Sequence, residues 1–434
     1  MNTAAQLTAR IAAGEYDRLF TRLYGADSVA RQRKRYTEAI SAFVATFGRD
    51  DDLYLFSAPG RTEIGGNHTD HNHGRVLAGS VNLDVIAVAA YSAENRIRIQ
   101  SKGYPMDVID CGALDPVDEE ANHSASLIRG MVSRFQQEGY AFGGFDAYTT
   151  SDVLKGSGLS SSAAFEVLTG TILNHLYNQG EISAVEIAKA AQYAENVYFG
   201  KPSGLMDQMA SSVGGIITID FQDVENPAIR SVHTDFTSSG YHLCIVDTGG
   251  NHADLTHEYA SVPEEMKAIA RFLGADYLRE ISVNQVLEHI DSLRRSHGDR
   301  AVLRALHFFS ENSRVEQQVA ALESGDFDAF KRLVIESGHS SFEYLQNVYT
   351  TSDVRFQGLS LALCIAQSQL RDCGAWRVHG GGFGGTTQNF VPAEKIDAFR
   401  AAMEQVFGEG SCYDLSIRPW GGISLEQKLR ELDA

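Results

Sequence analysis

Apolar residues recur three or four apart across about residues 14 to 47, where YDRLFTRLYG and RQRKRYTEAISAFVATFG place them at helical spacing. The period then changes. LYLFSAPG, NLDVIAVAAYS and RIRIQ are apolar runs or alternations of strand length, and GYAFGGFDAYTTSDV predicts another strand after a glycine-rich turn. Between the first two lies GRTEIGGNHTDHNHG, residues 60 to 74, whose glycines, charges and imidazoles predict a loop. Further on, SSSAAFEVLTGTILNHLYN spaces Leu168, Ile172 and Leu176 one helical turn apart, and SAVEIAKAAQYAEN opens with Ser183 and Glu186 at capping-box spacing. GGIITIDF and YHLCIVDTGG predict short buried strands. The polar stretch QDVENPAIRSVHTDFTSSG between them marks a domain junction near residues 222 to 240, and the second half is expected to be mostly helical. The pattern predicts an α+β chain of two domains, 1–230 and 231–434.

Length and charge narrow the picture. A chain of 434 residues exceeds what one core usually organises, which favours two domains. A formal net charge of -19 leaves no basic face for a phosphate backbone, and no apolar run has the length of a bilayer span. Cys111, Cys244, Cys364, Cys373 and Cys412 are odd in number and lack CxxC spacing, so neither a disulfide framework nor a zinc site is expected. The N-terminus carries charge too early for a secretory signal, and a reducing cytoplasm is the expected compartment.

Three stretches could carry chemistry. KGSGLSSSAA at 155 to 164 joins small residues to the start of a helix, so backbone N–H groups and the helix dipole converge on a place suited to phosphate. No lysine follows the last glycine, so it is not a P-loop. The serine hydroxyls could bond phosphate or ligate magnesium, although a serine-rich N-cap with small packing residues would read the same way. VHGGGFGGTTQNFV at 378 to 391 puts five glycines around Phe383, permitting close backbone approach or simply a tight strand connection. AENVYFGKPSGLMDQMAS at 194 to 211 ends one helix and restarts with Asp207, either a general base or an acid favoured by a helix N-terminus. His68, His71 and His73 fit no standard zinc spacing.

Taken in order, GRxxxxGxHxDxxxG, GLSSSAA, AE…GxxxGxMDQ and GGGFGG resemble the galactokinases, of the GHMP superfamily of small-molecule kinases. The resemblance runs from about Arg61 to the C-terminus; before it only FG at 47 to 48 is similar. It implies a two-domain GHMP-kinase-like fold with the active site in the cleft between domains, and an ATP-dependent sugar 1-kinase using Mg2+ and acting on D-galactose. It also implies residue roles. Asp207 accepts the proton of the anomeric hydroxyl, and Arg61 stabilises that region electrostatically. Ser162 and Glu195 are associated with magnesium, while Gly156, Gly158, Ser160, Ser161 and Ser162 hold the nucleotide. Asn67, His68, Asp70, Gly204 and Tyr259 bind the sugar. Partners are the sugar and ATP, with no nucleic acid or membrane, on a monomer or weak homo-oligomer.

The chain departs from the family at the first motif, GNHTDHNHG in place of GEHTDYNGG. Asn67 stands where a glutamate accepts a bond from the sugar's 6-hydroxyl, and His71 stands where tyrosine is usual. Asn can accept that bond without a charge. An uncharged residue would also tolerate a sugar carboxylate, so galacturonate or another galactose-like sugar is the alternative substrate. Arg75 is the one cation of the loop not obviously committed elsewhere. Leu154 replaces a common proline and Thr386 a frequent cysteine. A non-catalytic sugar and nucleotide sensor on the same fold is the rival from another class.

Overall fold

The computed structural model describes residues 2–153, 158–201, 203–234, 239–249, 256–351 and 354–433. Its strands are β1 (Tyr54–Gly65), β2 (Arg75–Tyr91), β3 (Arg96–Ser101), β4 (Met106–Asp110), β5 (Phe145–Ser151), β6 (Ile216–Asp220), β7 (Ala228–Ser231), β8 (Tyr241–Asp247), β9 (Ala375–His379), β10 (Thr386–Pro392), β11 (Cys412–Leu415) and β12 (Ile423–Ser424). The large sheet runs β12-β1-β2-β5-β3-β4, with β6 and β7 added beside the first half of β2, and the small sheet runs β11-β8-β10-β9. Pairing is antiparallel except between β3 and β5. The chain is thus α+β, as expected, with helices packed on mostly antiparallel sheets.

The N-terminal helices α1 (Ala4–Ala13), α2 (Asp17–Tyr24) and α3 (Val29–Phe47) cover one face of the large sheet. Gly25, at positive φ, breaks the helical spacing of residues 14 to 47 into α2 and α3, and Gly14 ends α1, which the spacing did not predict. These helices pack on Leu55, Ile86, Val88 and Ala90, while the alternate residues Phe56, Ala58, Val85, Ala87 and Ala89 enter the core on the opposite face. Both faces being covered, β1 and β2 read as near-continuous apolar runs.

The remaining helices are α4 (Ser124–Gln137), α5 (Ser161–Asn178), α6 (Ala184–Tyr193), α7 (Met206–Val213), α8 (Thr256–Phe272), α9 (Val283–Glu288), α10 (Ile290–Ser324), α11 (Phe327–Ser340), α12 (Gly358–Leu370), α13 (Ile396–Phe407) and α14 (Leu425–Asp433). The cap on α6 forms by half: Ser183 accepts from the Glu186 N–H at 3.2 Å, but the Glu186 side chain turns to Lys189 at 3.3 Å.

One expectation is corrected. Residues 60 to 65 are not loop but the end of β1, with Arg61, Thr62 and Glu63 paired to Ser80, Gly79 and Ala78. Their polar side chains have buried partners elsewhere in the fold, which overrides their poor strand propensity. The second half is mostly helical, as expected, and also carries a complete sheet, β8 to β11. The chain then returns: Ser424 and Ile423 pair with Phe56 and Ser57 on the edge of the large sheet.

Asp84, fully buried on β2, ties these parts together. Its carboxylate meets Arg35 of α3 at 2.6 Å, Arg418 at 3.1 Å, the Tyr24 hydroxyl at 2.6 Å and the Ser57 hydroxyl. Burial works against its charge, yet Arg35 and Arg418 hold its pKa below the usual value. Its contribution is therefore present above the unfolded carboxylate pKa, about 3.9, and lost as pH falls below it. Replacing Asp84 by Asn takes the counter-charge from buried Arg418 and leaves Arg35 only Asp152, at 3.2 Å, and stability is expected to fall by about 3–5 kcal/mol. Urea unfolding checks this; a loss below about 1 kcal/mol would show that the two arginines do not depend on Asp84.

Candidate active site

Arg61 leaves β1 and forks onto Asp207 in the first turn of α7: Nε lies 2.6 Å from Oδ1 and Nη2 2.7 Å from Oδ2. Two parallel charge-assisted bonds fix both groups in direction as well as distance. The third guanidinium nitrogen donates to the Gly158 carbonyl, and the Arg61 N–H donates to Leu159 O at 3.0 Å. Arg61 thereby joins the acid of α7 to the serine-rich stretch before α5. Burial pushes the Asp207 carboxyl up, but Arg61 and bonds from Arg61 and Ser160 outweigh it and hold the pKa at about 2. Asp207 is ionised at neutral pH.

The approach to α5 has a left-handed backbone at Gly158 (φ 69°) and at Ser160 (φ 56°), the latter a residue type seldom found there. Ser161 and Ser162 begin the helix. Gly156 lies outside the described residues, as does Leu154. Ser162 Oγ donates to Glu195 Oε1 at 3.0 Å, and Glu195 sits in a π-helical turn, Ala194–Phe199, that carries α6 into the next segment. Glu195 is buried and also receives Lys201 at 2.9 Å, Ser203 at 2.7 Å and Gln208 at 2.7 Å. Ser162 and Glu195 offer two hard oxygens about 3 Å apart, the separation of adjacent ligands on an octahedral magnesium ion.

The loop after β1 is held from the other side. Glu311 of α10 accepts from the backbone N–H groups of Gly66 and Asn67 at 3.1 and 3.3 Å, and His307 meets the Asn67 carbonyl at 2.9 Å. Four expected sugar residues gather at the cleft. His68, at positive φ, donates from Nε2 to Gly381 O at 2.9 Å and meets His71 at 2.9 Å through Nδ1. Its ring lies 5.2 Å from that of Tyr259, which is 48% exposed. Asp70 abuts Gly204 so closely that a Cβ on Gly204 would stand 2.1 Å from its carboxylate. Gly381 is packed just as closely against the Tyr259 ring, where a Cβ would stand 2.1 Å from a ring carbon.

Asn67 behaves differently. It is fully buried, and its amide is spent on the protein: Nδ2 donates to Glu63 at 3.1 Å and Gly380 O at 2.7 Å, while Oδ1 accepts from Asn347 at 2.9 Å and Ser341 at 3.1 Å. All of the amide's donors and acceptor positions are thus met within the protein. Reading by sequence missed Glu63, His307, Glu311, Asn347, Arg377 and His379, which dock the loop. Glu63 alone left a signal, an acid two residues from Arg61 and therefore on the same side of a strand. His73 stacks on Tyr277 at 3.6 Å.

A phosphate-suited helix start beside a buried Arg–Asp fork, on this two-sheet fold, defines a small-molecule kinase of the GHMP type, and the GHMP kinases N terminal domain family matches residues 126–215. The galactokinase galactose-binding signature matches residues 41–91. A galactokinase of Streptomyces coelicolor is 31% identical over 358 residues, 81% of this chain and 88% of that one. The chain belongs to the galactokinase family. The structure of Lactococcus lactis galactokinase complexed with galactose superposes with a TM-score of 0.77 at 25% identity, covering 89% of this chain and 99% of that one. The mevalonate kinase of Methanococcus jannaschii, at 15% identity and TM-score 0.60 over 85% and 99% of the two chains, shares the fold.

The imidazoles of the cleft make a prediction. His68 must carry its proton on Nε2, facing a carbonyl that can only accept; His379 accepts at Nε2 from the Glu63 N–H at 3.2 Å and so carries its proton on Nδ1, toward Thr386 at 2.9 Å. Burial lowers the pKa of His68 to about 3 and that of His379 well below the ordinary value. Nitrogen NMR at about pH 5.5 is expected to show both rings neutral and in opposite tautomers, where a free histidine is mostly charged. An imidazolium signal from either ring would contradict these bonds.

Proposed function

We propose that the chain is an ATP-dependent galactokinase that transfers the γ-phosphoryl group of ATP to the anomeric hydroxyl of D-galactose. The observation that carries the reading is the Arg61–Asp207 fork set against the start of α5. Asp207 orients the hydroxyl and accepts its proton as the oxygen bonds to phosphorus. An acid held at about 2 is a weak base, which suits a loose transition state in which the proton moves late. Arg61 offsets charge on the transferring group. Gly158, Ser160, Ser161 and Ser162 offer backbone N–H groups and hydroxyls to the nucleotide phosphates. Ser162 and Glu195 would hold Mg2+, which would offset the negative charge of the nucleotide phosphates. Lys201 balances Glu195 at 2.9 Å.

His68, Asp70, Gly204 and Tyr259 form the sugar side of the cleft. A neutral sugar is favoured over a uronate because Arg75 is committed to Asp220 at 2.9 Å and Glu316 at 3.1 Å, and Arg377 to Glu63. A sugar carboxylate would find Glu63, Asp70 and Asp207 in the cleft, with Arg61 already paired.

ATP consumption over galactose, galacturonate, arabinose, N-acetylgalactosamine and glucose tests the assignment, with galactose expected to be turned over most efficiently. No turnover on any sugar would favour a sensor. In Asp207→Asn the shape is kept and the proton acceptor removed, so turnover on galactose is expected to fall about 100-fold or more. Near-normal turnover in a folded variant would take Asp207 out of the mechanism.

A further inference from the structure

If Asn67 has no bond to give, the carboxylate that the family pattern places there must be replaced or forgone. Glu63 is the nearest acid. Arg61, Thr62 and Glu63 pair in unbroken register with Ser80, Gly79 and Ala78, so strand alternation sends Glu63 to the side of Arg61. Its charge is balanced from below by Arg377, fully buried on β9, at 2.5 Å. Arg377 is fixed by Ile64 O at 2.8 Å and Val378 O at 2.9 Å.

The two oxygens of Glu63 are used unequally. Oε1 accepts from Asn67 Nδ2 at 3.1 Å and from Arg377 Nη2. Among the described residues no donor reaches Oε2, nor is Oε2 one of the sealed oxygens without a partner, so the 6% of this side chain that stays accessible includes it. Glu63 is close enough to Tyr259 for its charge, with those of Asp70 and Asp207, to act on the Tyr259 hydroxyl. A carboxylate oxygen with open lone pairs beside sugar-facing residues is an acceptor for a hydroxyl.

We propose that Glu63 supplies the sugar-recognising carboxylate of this chain, accepting a hydrogen bond from a galactose hydroxyl through Oε2, and that Asn67 is a positioning residue that aims it. An amide holds the family's acid position here, and one carboxylate, that of Glu63, remains beside it. This rests on the galactokinase reading for its ligand but not for its measurement.

Calorimetry with galactose and with galactoses each lacking one hydroxyl separates the two. Glu63→Gln keeps the shape and removes the charge, and galactose affinity is expected to fall about 10- to 100-fold, the range of one hydrogen bond to a charged group. That penalty should vanish for one deoxygenated sugar, the one lacking the contacted hydroxyl. A folded Glu63→Gln protein with wild-type affinity, or an equal penalty against every sugar, would overturn the proposal. If loss of the Arg377 counter-charge prevents folding, the exchange variant Glu63→Asn/Asn67→Glu keeps one carboxylate beside Arg377. It is expected to bind galactose within about 10-fold of wild type, whereas Asn67→Glu alone sets two carboxylates side by side and should not. An exchange variant that binds no better than Asn67→Glu alone would also overturn it. Failure of wild type to consume ATP would count against the kinase reading only, since Glu63 is judged on binding.

Discussion

A carboxylate taken out of water loses several kcal/mol of hydration, which only cations and hydrogen-bond donors can replace. Asp84 finds Arg35 and Arg418; Glu63 finds Arg377; Glu311 finds Arg314; Asp207 finds Arg61. Most of these partners are distant in sequence, so meeting the charge requirement also fixes the fold. Asp84 binds the N-terminal helices to the end of the chain, Glu63 binds the large sheet to the small one, and Glu311 holds the loop at Gly66 and Asn67. Glu166 shows the alternative. It has no arginine, and burial, with the charge of Glu195, pushes its carboxyl pKa well above the ordinary range.

The same requirement explains what the sequence could and could not disclose. Regular periodicity located α3, α5, α6 and most strands, because a local pattern of apolar side chains records a local geometry. It lost β1 after Pro59, where Arg61, Thr62 and Glu63 owe their place in a strand to Asp207, His379 and Arg377, residues more than a hundred positions away. It marked β8 and the glycine-rich connection between β9 and β10, but not that they join β11 in one sheet, whose strands are separated by long helical stretches. Arg61 and Asp207, and Ser162 and Glu195, were legible through ordered motifs and do meet. Asn67 was legible as a departure, yet its direction depends on Asn347 and Ser341, which no local pattern links to it.

Two neighbouring parts of the site are held by different kinds of bond. Around the loop after β1, backbone carbonyls of Gly380 and Gly381 accept from Asn67, His68 and Asn347, and neutral imidazoles hold fixed tautomers. Near the start of α5 the contacts are ionic: Arg61 is paired with Asp207 and Lys201 with Glu195.

The return of the chain to the large sheet has a consequence for its synthesis. β1, made early, is bordered on one side by β2 and on the other by β12, and Asp84 has Arg418 as one of its two counter-charges. Until the last segment leaves the ribosome, the outer edge of β1 carries unpaired backbone groups, and Asp84 faces Arg35 alone. Domains made first usually fold first. Here the first-made sheet is the last to be sealed, and in the interval its open edge is a template for another nascent chain unless something covers it.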